Sequence, residues 1–144
     1  MSAFPTVDVT VYPYDCDAFG HLNQAACLLL LERARWDALA RGPGMDVFKR
    51  NGVWPAVRKT TIEYTAGAFP GDMLRVETVV VGRGKTSFTM RHVMRRVTDG
   101  AVVAEAEIVF VCIDEAGSAT PIPEELARVL GSAGQFGLNG TGLS

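Results

Sequence analysis

The chain has 144 residues, 48% hydrophobic and 21% charged, with a formal net charge of −2. That is the size of one domain with a substantial core, and it lacks the clustered basic excess of a nucleic-acid binder. The three cysteines, Cys16, Cys27 and Cys112, form no C-x-x-C pair, which excludes a disulfide framework or structural zinc site and fits a reducing cytoplasm.

In chain order, the N-terminus shows no basic segment followed by an apolar run, so no signal peptide is expected. Residues 7–12 are rich in β-branched side chains and predict a strand stopped by Pro13. Residues 14–22 predict a loop. A helix is expected from the cap Asn23 to about Ala40, ended by Gly42–Pro43–Gly44. Its first half, 25–31, is apolar on every side and predicts burial all round, with the polar second half (Glu32, Arg33, Arg35, Asp37, Arg41) emerging towards solvent. That run is far shorter than the roughly 20 residues needed to span a bilayer. A short helix is expected at 45–50, then strands at 53–64, 73–81, 85–97 and 102–113, with loops at Pro70–Gly71–Asp72 and Gly82–Arg83–Gly84 and a tight hairpin at Asp99–Gly100. Strands joined this closely form an antiparallel meander. Residues 121–130 predict a C-terminal helix. The chain divides into one domain, 1–131, and a glycine-rich, disordered tail, 132–144.

One antiparallel sheet covers only part of a helix. A helix apolar all round therefore implies a second subunit, and a homodimer is expected. The fold class is α+β, a long central helix with an antiparallel sheet wrapped around it.

The densest chemistry lies just before the helix, in Tyr14–Asp15–Cys16–Asp17–Ala18–Phe19–Gly20–His21–Leu22–Asn23. Two carboxylates, a thiol, an imidazole and an amide at the mouth of a buried helix are not explained by core packing. They point to an active site where unpaired helix N–H groups and the helix dipole favour negative charge. A plainer reading stands beside this one: Asp15 and Asp17 as turn formers, His21 as a loop histidine, Asn23 as a cap. Cys16 lacks a well-placed histidine to activate it, since His21 and His92 are the only two.

The loop D-x-D-x-x-G-H-x-N, together with the order of elements from Val7 to Leu130, resembles the hotdog-fold acyl-CoA thioesterases of the 4-hydroxybenzoyl-CoA thioesterase type. Thr61–Ile62–Glu63–Tyr64 with Gly71–Asp72–Met73–Leu74, and the segment from Asp114 to Pro123, resemble further parts of that pattern. The resemblance implies a hotdog fold, a homodimer or dimer of dimers, and hydrolysis of an acyl-CoA with no metal and no cofactor beyond the CoA of the substrate. It places the catalytic carboxylate on Asp17, as general base or nucleophile. It puts the oxyanion donor at the backbone of Gln24, with His21 and Asn23 as orienting side chains.

For substrate binding it singles out Arg83 and Lys85, beside the CoA phosphates, and Tyr64 and Trp54 as pocket walls. Arg58 and Lys59 are lesser options. The family often carries a second Asn where this chain has Gln24, and an aromatic further along the helix where this chain reads Ala26–Cys27–Leu28–Leu29–Leu30–Leu31. The smaller, apolar surface favours an aliphatic acyl tail. Two other readings compete: an acyl-carrier-protein thioesterase docking on Arg91, Arg95 and Arg96, and a non-catalytic acyl-binding module. Hotdog hydratases need a different spacing from Asp17–His21.

Overall fold

The computed structural model describes residues 2–131. The elements are β1 (Ser2–Ala3), β2 (Val7–Thr10), α1 (Gln24–Arg41), β3 (Trp54–Tyr64), β4 (Met73–Arg83), β5 (Ser87–Arg96), β6 (Val102–Ile113) and α2 (Glu124–Leu130). All strands join one antiparallel sheet in the order β1–β4–β5–β6–β3, with β2 also paired to β4. The meander β4–β5–β6 is as expected, but β3 pairs with β6 rather than with its sequence neighbour β4. Residues 65–72 carry the chain from one margin of the sheet to the other. The expected tail, 132–144, lies outside the described residues.

α1 crosses one face of this sheet. Its buried side chains, Cys27, Leu30, Leu31, Ala34, Arg35, Ala38 and Leu39, recur at the three- and four-residue spacing of one helix face. Within one chain Leu28 is 37% and Leu29 62% exposed, because a single sheet reaches only one side of the helix; this is the residual surface for which a second subunit is expected. The expectation of a solvated second half is corrected at Arg35, which is buried.

The core has two parts. Near the start of α1, Cys27, Leu30 and Leu31 pack with Val9, Leu74, Val76 and Met94. Near its end, Leu39 and Phe48 meet Phe88, Phe110, Leu126 and Leu130, with Phe48, Phe88 and Phe110 stacked at centroid separations of 6.1 and 5.1 Å. The helix expected at 45–50 is instead a set of turns ending in a single 3-10 turn, Lys49–Asn51, closed by Gly52. Arg50 holds this turn to α2. Its Nη2 donates to Glu125 Oε2 at 2.7 Å and its Nη1 to Asp46 Oδ1 at 2.7 Å, while Asn51 Nδ2 donates to Glu125 Oε1 at 2.7 Å.

These donors, Arg50 first, hold the Glu125 carboxyl down from the ordinary 4.5 to about 2. Between those two values the folded chain binds fewer protons than the unfolded one at this site, so stability rises with pH. The contribution is complete above about 4.5 and is lost as pH falls through about 2. Glu125→Gln is expected to flatten the acid limb of the stability–pH profile across that window, as read from urea denaturation midpoints.

Candidate active site

The loop before α1 is shaped by its own carboxylates. Asp15 Oδ2 accepts from the Tyr12 N–H at 2.9 Å, and its carbonyl accepts from the Asn23 N–H at 2.9 Å. This closes the segment into a tight lobe, and Asp15 acts as a loop brace. Asp17 Oδ1 accepts from the N–H groups of Phe19 at 2.9 Å and His21 at 3.3 Å. Its backbone N–H donates to the His21 carbonyl at 2.9 Å, and Gly20, at a φ of 81° that favours glycine, completes the turn. Oδ2 of Asp17 has no hydrogen bond among the described residues, so one carboxylate oxygen is fixed by the turn and the other is free.

Asn23 caps α1 with extended backbone (φ −69°, ψ 144°). Its Oδ1 accepts from Ala25 N–H at 2.8 Å and Ala26 N–H at 3.3 Å. The Cys27 N–H reaches the Asn23 carbonyl at 2.8 Å. The Gln24 N–H alone in this first turn has no acceptor among the described residues, and it stands at the positive end of an 18-residue helix.

Asp17, His21, Asn23, Gln24 and Tyr64 line one open cleft of about 480 Å³. Tyr64, at the end of β3, donates its hydroxyl to the Gln24 carbonyl at 3.1 Å, tying the strand to the helix entry. Burial, then the nearby Cys27 thiol, raises the Tyr64 pKa, so it stays a neutral donor. The His21 ring meets Phe69 edge to face at 4.9 Å. Cys27 forms the apolar floor, and burial pushes its thiol up to about 11. Burial, then Asp15, Asp17 and Asp72, also raises the Cys16 pKa, which keeps it a thiol and removes it as a nucleophile.

The opposite wall, residues 65–68, was missed from sequence. It is held by Thr65 N–H to the Val103 carbonyl at 2.9 Å, Leu22 N–H to the Ala68 carbonyl at 2.8 Å, and Arg96 Nη1 to the Gly67 carbonyl at 2.6 Å. Nothing local in Thr65–Ala66–Gly67–Ala68 signals this role, which depends on where β3 and β6 end.

Three candidate residues are not brought to this cleft within one chain. Trp54, at the opposite end of β3, lines a separate hollow with Lys49 and Asp114. Arg83 ends β4 and Lys85 follows it, at the end of the sheet remote from Met73 and Asp72. Arg58 and Lys59 sit on exposed β3 where its register with β6 shifts. The supposed docking cluster is paired internally, Arg91 with Glu105, Arg95 with Glu77 and Arg96 with Asp99. Among the described residues no helix is long and apolar enough to cross a membrane.

The sequence model of the thioesterase-like superfamily matches residues 11–130. The chain is 31% identical over 106 residues to the long-chain acyl-CoA thioesterase FadM of Escherichia coli K12, covering 74% of this chain and 80% of FadM. It is 35% identical over 109 residues to the acyl-CoA thioester hydrolase YbgC of Escherichia coli O6:H1, covering 74% and 79%. A solved thioesterase from Thermus thermophilus, complexed with coenzyme A and zinc, superposes with a TM-score of 0.75 at 26% identity, covering 94% of this chain and 98% of that one.

Capping and chemistry at Asn23 are separable. Asn23→Ala is expected to cost about 1 kcal/mol of stability through the lost cap, whereas Asn23→Asp restores it. Thermal denaturation of both variants checks this, and any rate still missing in a stable Asn23→Asp protein belongs to the carboxamide NH2.

Proposed function

The chain belongs to the thioesterase-like superfamily, and we propose that it hydrolyses acyl-CoA thioesters in the cleft at the N-terminus of α1. The observation that carries the assignment of the site is the free Gln24 N–H and the free Asp17 Oδ2 opening on one cleft. The thioester oxygen accepts from Gln24 N–H, where the helix terminus stabilises the negative charge that grows on it as the carbonyl carbon becomes tetrahedral. Asp17 supplies the other half. As general base, its free oxygen takes a proton from water while the water oxygen bonds to the carbonyl carbon. As nucleophile, it bonds to that carbon itself, and water then cleaves the mixed anhydride. In both routes the C–S bond breaks, the CoA thiolate leaves and is protonated, and one water is consumed. In this reading His21 and the carboxamide NH2 of Asn23, both lining the cleft, orient that water or the carbonyl.

The apolar floor at Cys27 suits an aliphatic tail. The paired state of Arg91, Arg95 and Arg96 speaks against a carrier-protein docking patch.

The acting unit we propose is a homodimer built on β3. Among the described residues that strand's outer edge is unpaired, and an exposed strand edge is a template for another chain. Trp54 and Val57 on β3, with Leu28 and Leu29 on α1, form an apolar surface of the kind that marks interfaces. Antiparallel pairing of two β3 edges about their middle brings the partner subunit's Trp54 alongside Tyr64. The same rotation moves the partner subunit's Arg83 and Lys85 to the end of the assembly that holds Asp17, where CoA phosphates would lie.

Asp17→Asn is expected to lower kcat at least about a hundredfold with unchanged circular dichroism. A panel of short, long and aromatic acyl-CoAs, followed by thiol release, checks it, and turnover that survives the substitution would show that another group does the chemistry. Sedimentation of the wild type reads dimer or dimer of dimers.

A further inference from the structure

The second half of α1 covers a small cavity of about 50 Å³. Its walls include the apolar side chains of Trp36, Leu39, Phe48, Met90 and Phe110, and its charged wall residues are Glu32 and Arg35. The Arg35 side chain is only 8% exposed. A guanidinium in such a place should be saturated with acceptors, because a buried charge without them is costly. This one is not. Among the described residues, Nη1 stands 3.5 Å from His92 Nε2, at the limit of a hydrogen bond, and Nη2 stands 3.9 Å from Glu32 Oε2, beyond one. The group is otherwise stacked 4.9 Å over the Phe110 ring. Glu32 balances the charge at a distance, and Arg35 Nε and Nη2, which have no protein acceptor among the described residues, are not sealed from solvent.

The imidazole of His92 is held in one role. It is wholly buried, and burial, then Arg35, pushes its pKa down to about 3, so it stays neutral. Facing a donor at Nε2, it must accept there, and its Nδ1 proton goes to Thr78 Oγ1 at 3.0 Å. His92 therefore fixes Arg35 without satisfying it.

The cavity lies on the line of the catalytic cleft. β3 runs back along α1: Tyr64 meets Gln24 at the cleft, while Val57 and Pro55 share the second cavity with Arg35 and Leu39. Gln24 and Arg35 are eleven positions apart on α1, about 16 Å along the axis. Half-exposed Leu28 lies between them.

We infer that Arg35 is the distal subsite for the acyl tail, selecting long aliphatic chains that end in a neutral oxygen acceptor, a hydroxyl or keto group. Glu32 already balances the charge, so a neutral acceptor takes the donors that His92 leaves open, in place of solvent, without adding a second anion. The inference rests on the hydrolase reading, since it needs an acyl group anchored at Gln24.

The experiment compares ω-hydroxytetradecanoyl-CoA with tetradecanoyl-CoA on the wild-type enzyme. A hydrogen bond to a buried guanidinium is expected to give the hydroxylated ester a KM about tenfold lower or better. Arg35→Met is expected to abolish that preference by weakening the hydroxylated ester alone. Equal KM values on the wild type would overturn the inference, whether or not the variant folds, and would mean that water or the partner subunit completes Arg35. Calorimetric binding of both esters to Asp17→Asn reads the same preference without chemistry. Preferential binding without turnover in the wild type would sink the hydrolase reading and spare the subsite. Equal binding, or none, would sink the subsite whatever the turnover.

Discussion

Asn23 places a single carboxamide oxygen under the first turn of α1, and that oxygen takes up the N–H groups of Ala25 and Ala26 while leaving that of Gln24 outside its reach. A helix must dispose of its first N–H groups somehow, and a capping residue that fills two of them determines which stays open. The rest of the cleft is arranged around that remainder. The loop from Asp15 to Leu22 folds back so that Asp15 receives the cap's own N–H, and this brings the Asp17 turn beside the helix entry. Tyr64 then ties β3 to the same turn of helix through the Gln24 carbonyl. The donor is useful because its surroundings are satisfied and cannot collapse onto it.

Much of this was readable in the chain. The cap, the helix and its stop before Gly42–Pro43–Gly44, the hairpin at Asp99–Gly100 and the full extent of β6 follow from local chemistry: a short polar side chain before an apolar run, a helix-breaking glycine–proline pair, a glycine at a φ of 73° in the hairpin, alternation along a strand. Asp17 stood out because carboxylates crowd a helix entry without a packing reason. What was not readable depends on distant pairing. Residues 65–68 become a cleft wall only because β3 lies on β6 and crosses back to β4, and nothing in those small side chains encodes that. Arg35 sits among polar neighbours in sequence and reads as surface, but its helical phase matches Leu31 and Leu39, so it points inward with them. Trp54 and Tyr64 occupy the same strand and look like neighbours of one pocket, yet eleven residues of extended chain put them at opposite ends of the sheet.

The same geometry explains the uneven surface of α1. One sheet buries one helix face, and the chain nonetheless keeps Leu28 and Leu29 on the other, while among the described residues the outer edge of β3 is unpaired. Exposed leucines on a helix and open amides on a strand are separate liabilities, and a second copy of the chain would remove both at once. A two-fold along β3 also needs no new shape, because the surface has only to complement itself.

Along α1 two polar donors stand eleven positions apart, one lining each of two separate cavities. At one end is a backbone N–H at a helix terminus, at the other a guanidinium whose one protein hydrogen bond among the described residues is to His92, and Leu28 lies on the helix between them. The two are built differently for a physical reason. In the proposed reaction the Gln24 donor stabilises charge that exists only while the carbonyl carbon is tetrahedral, and a fixed backbone dipole does so with no side-chain reorganisation. In the proposed subsite the Arg35 donor holds a resting group in place, for which a planar fork stacked on Phe110 and steadied by a neutral imidazole is suited. Replacing that guanidinium with an apolar side chain would make a better-packed core, because a buried cation with one distant counter-charge adds little to stability. On the proposed reading its physical worth therefore lies in what it can bind, with the acyl group anchored at Gln24 about 16 Å away along α1.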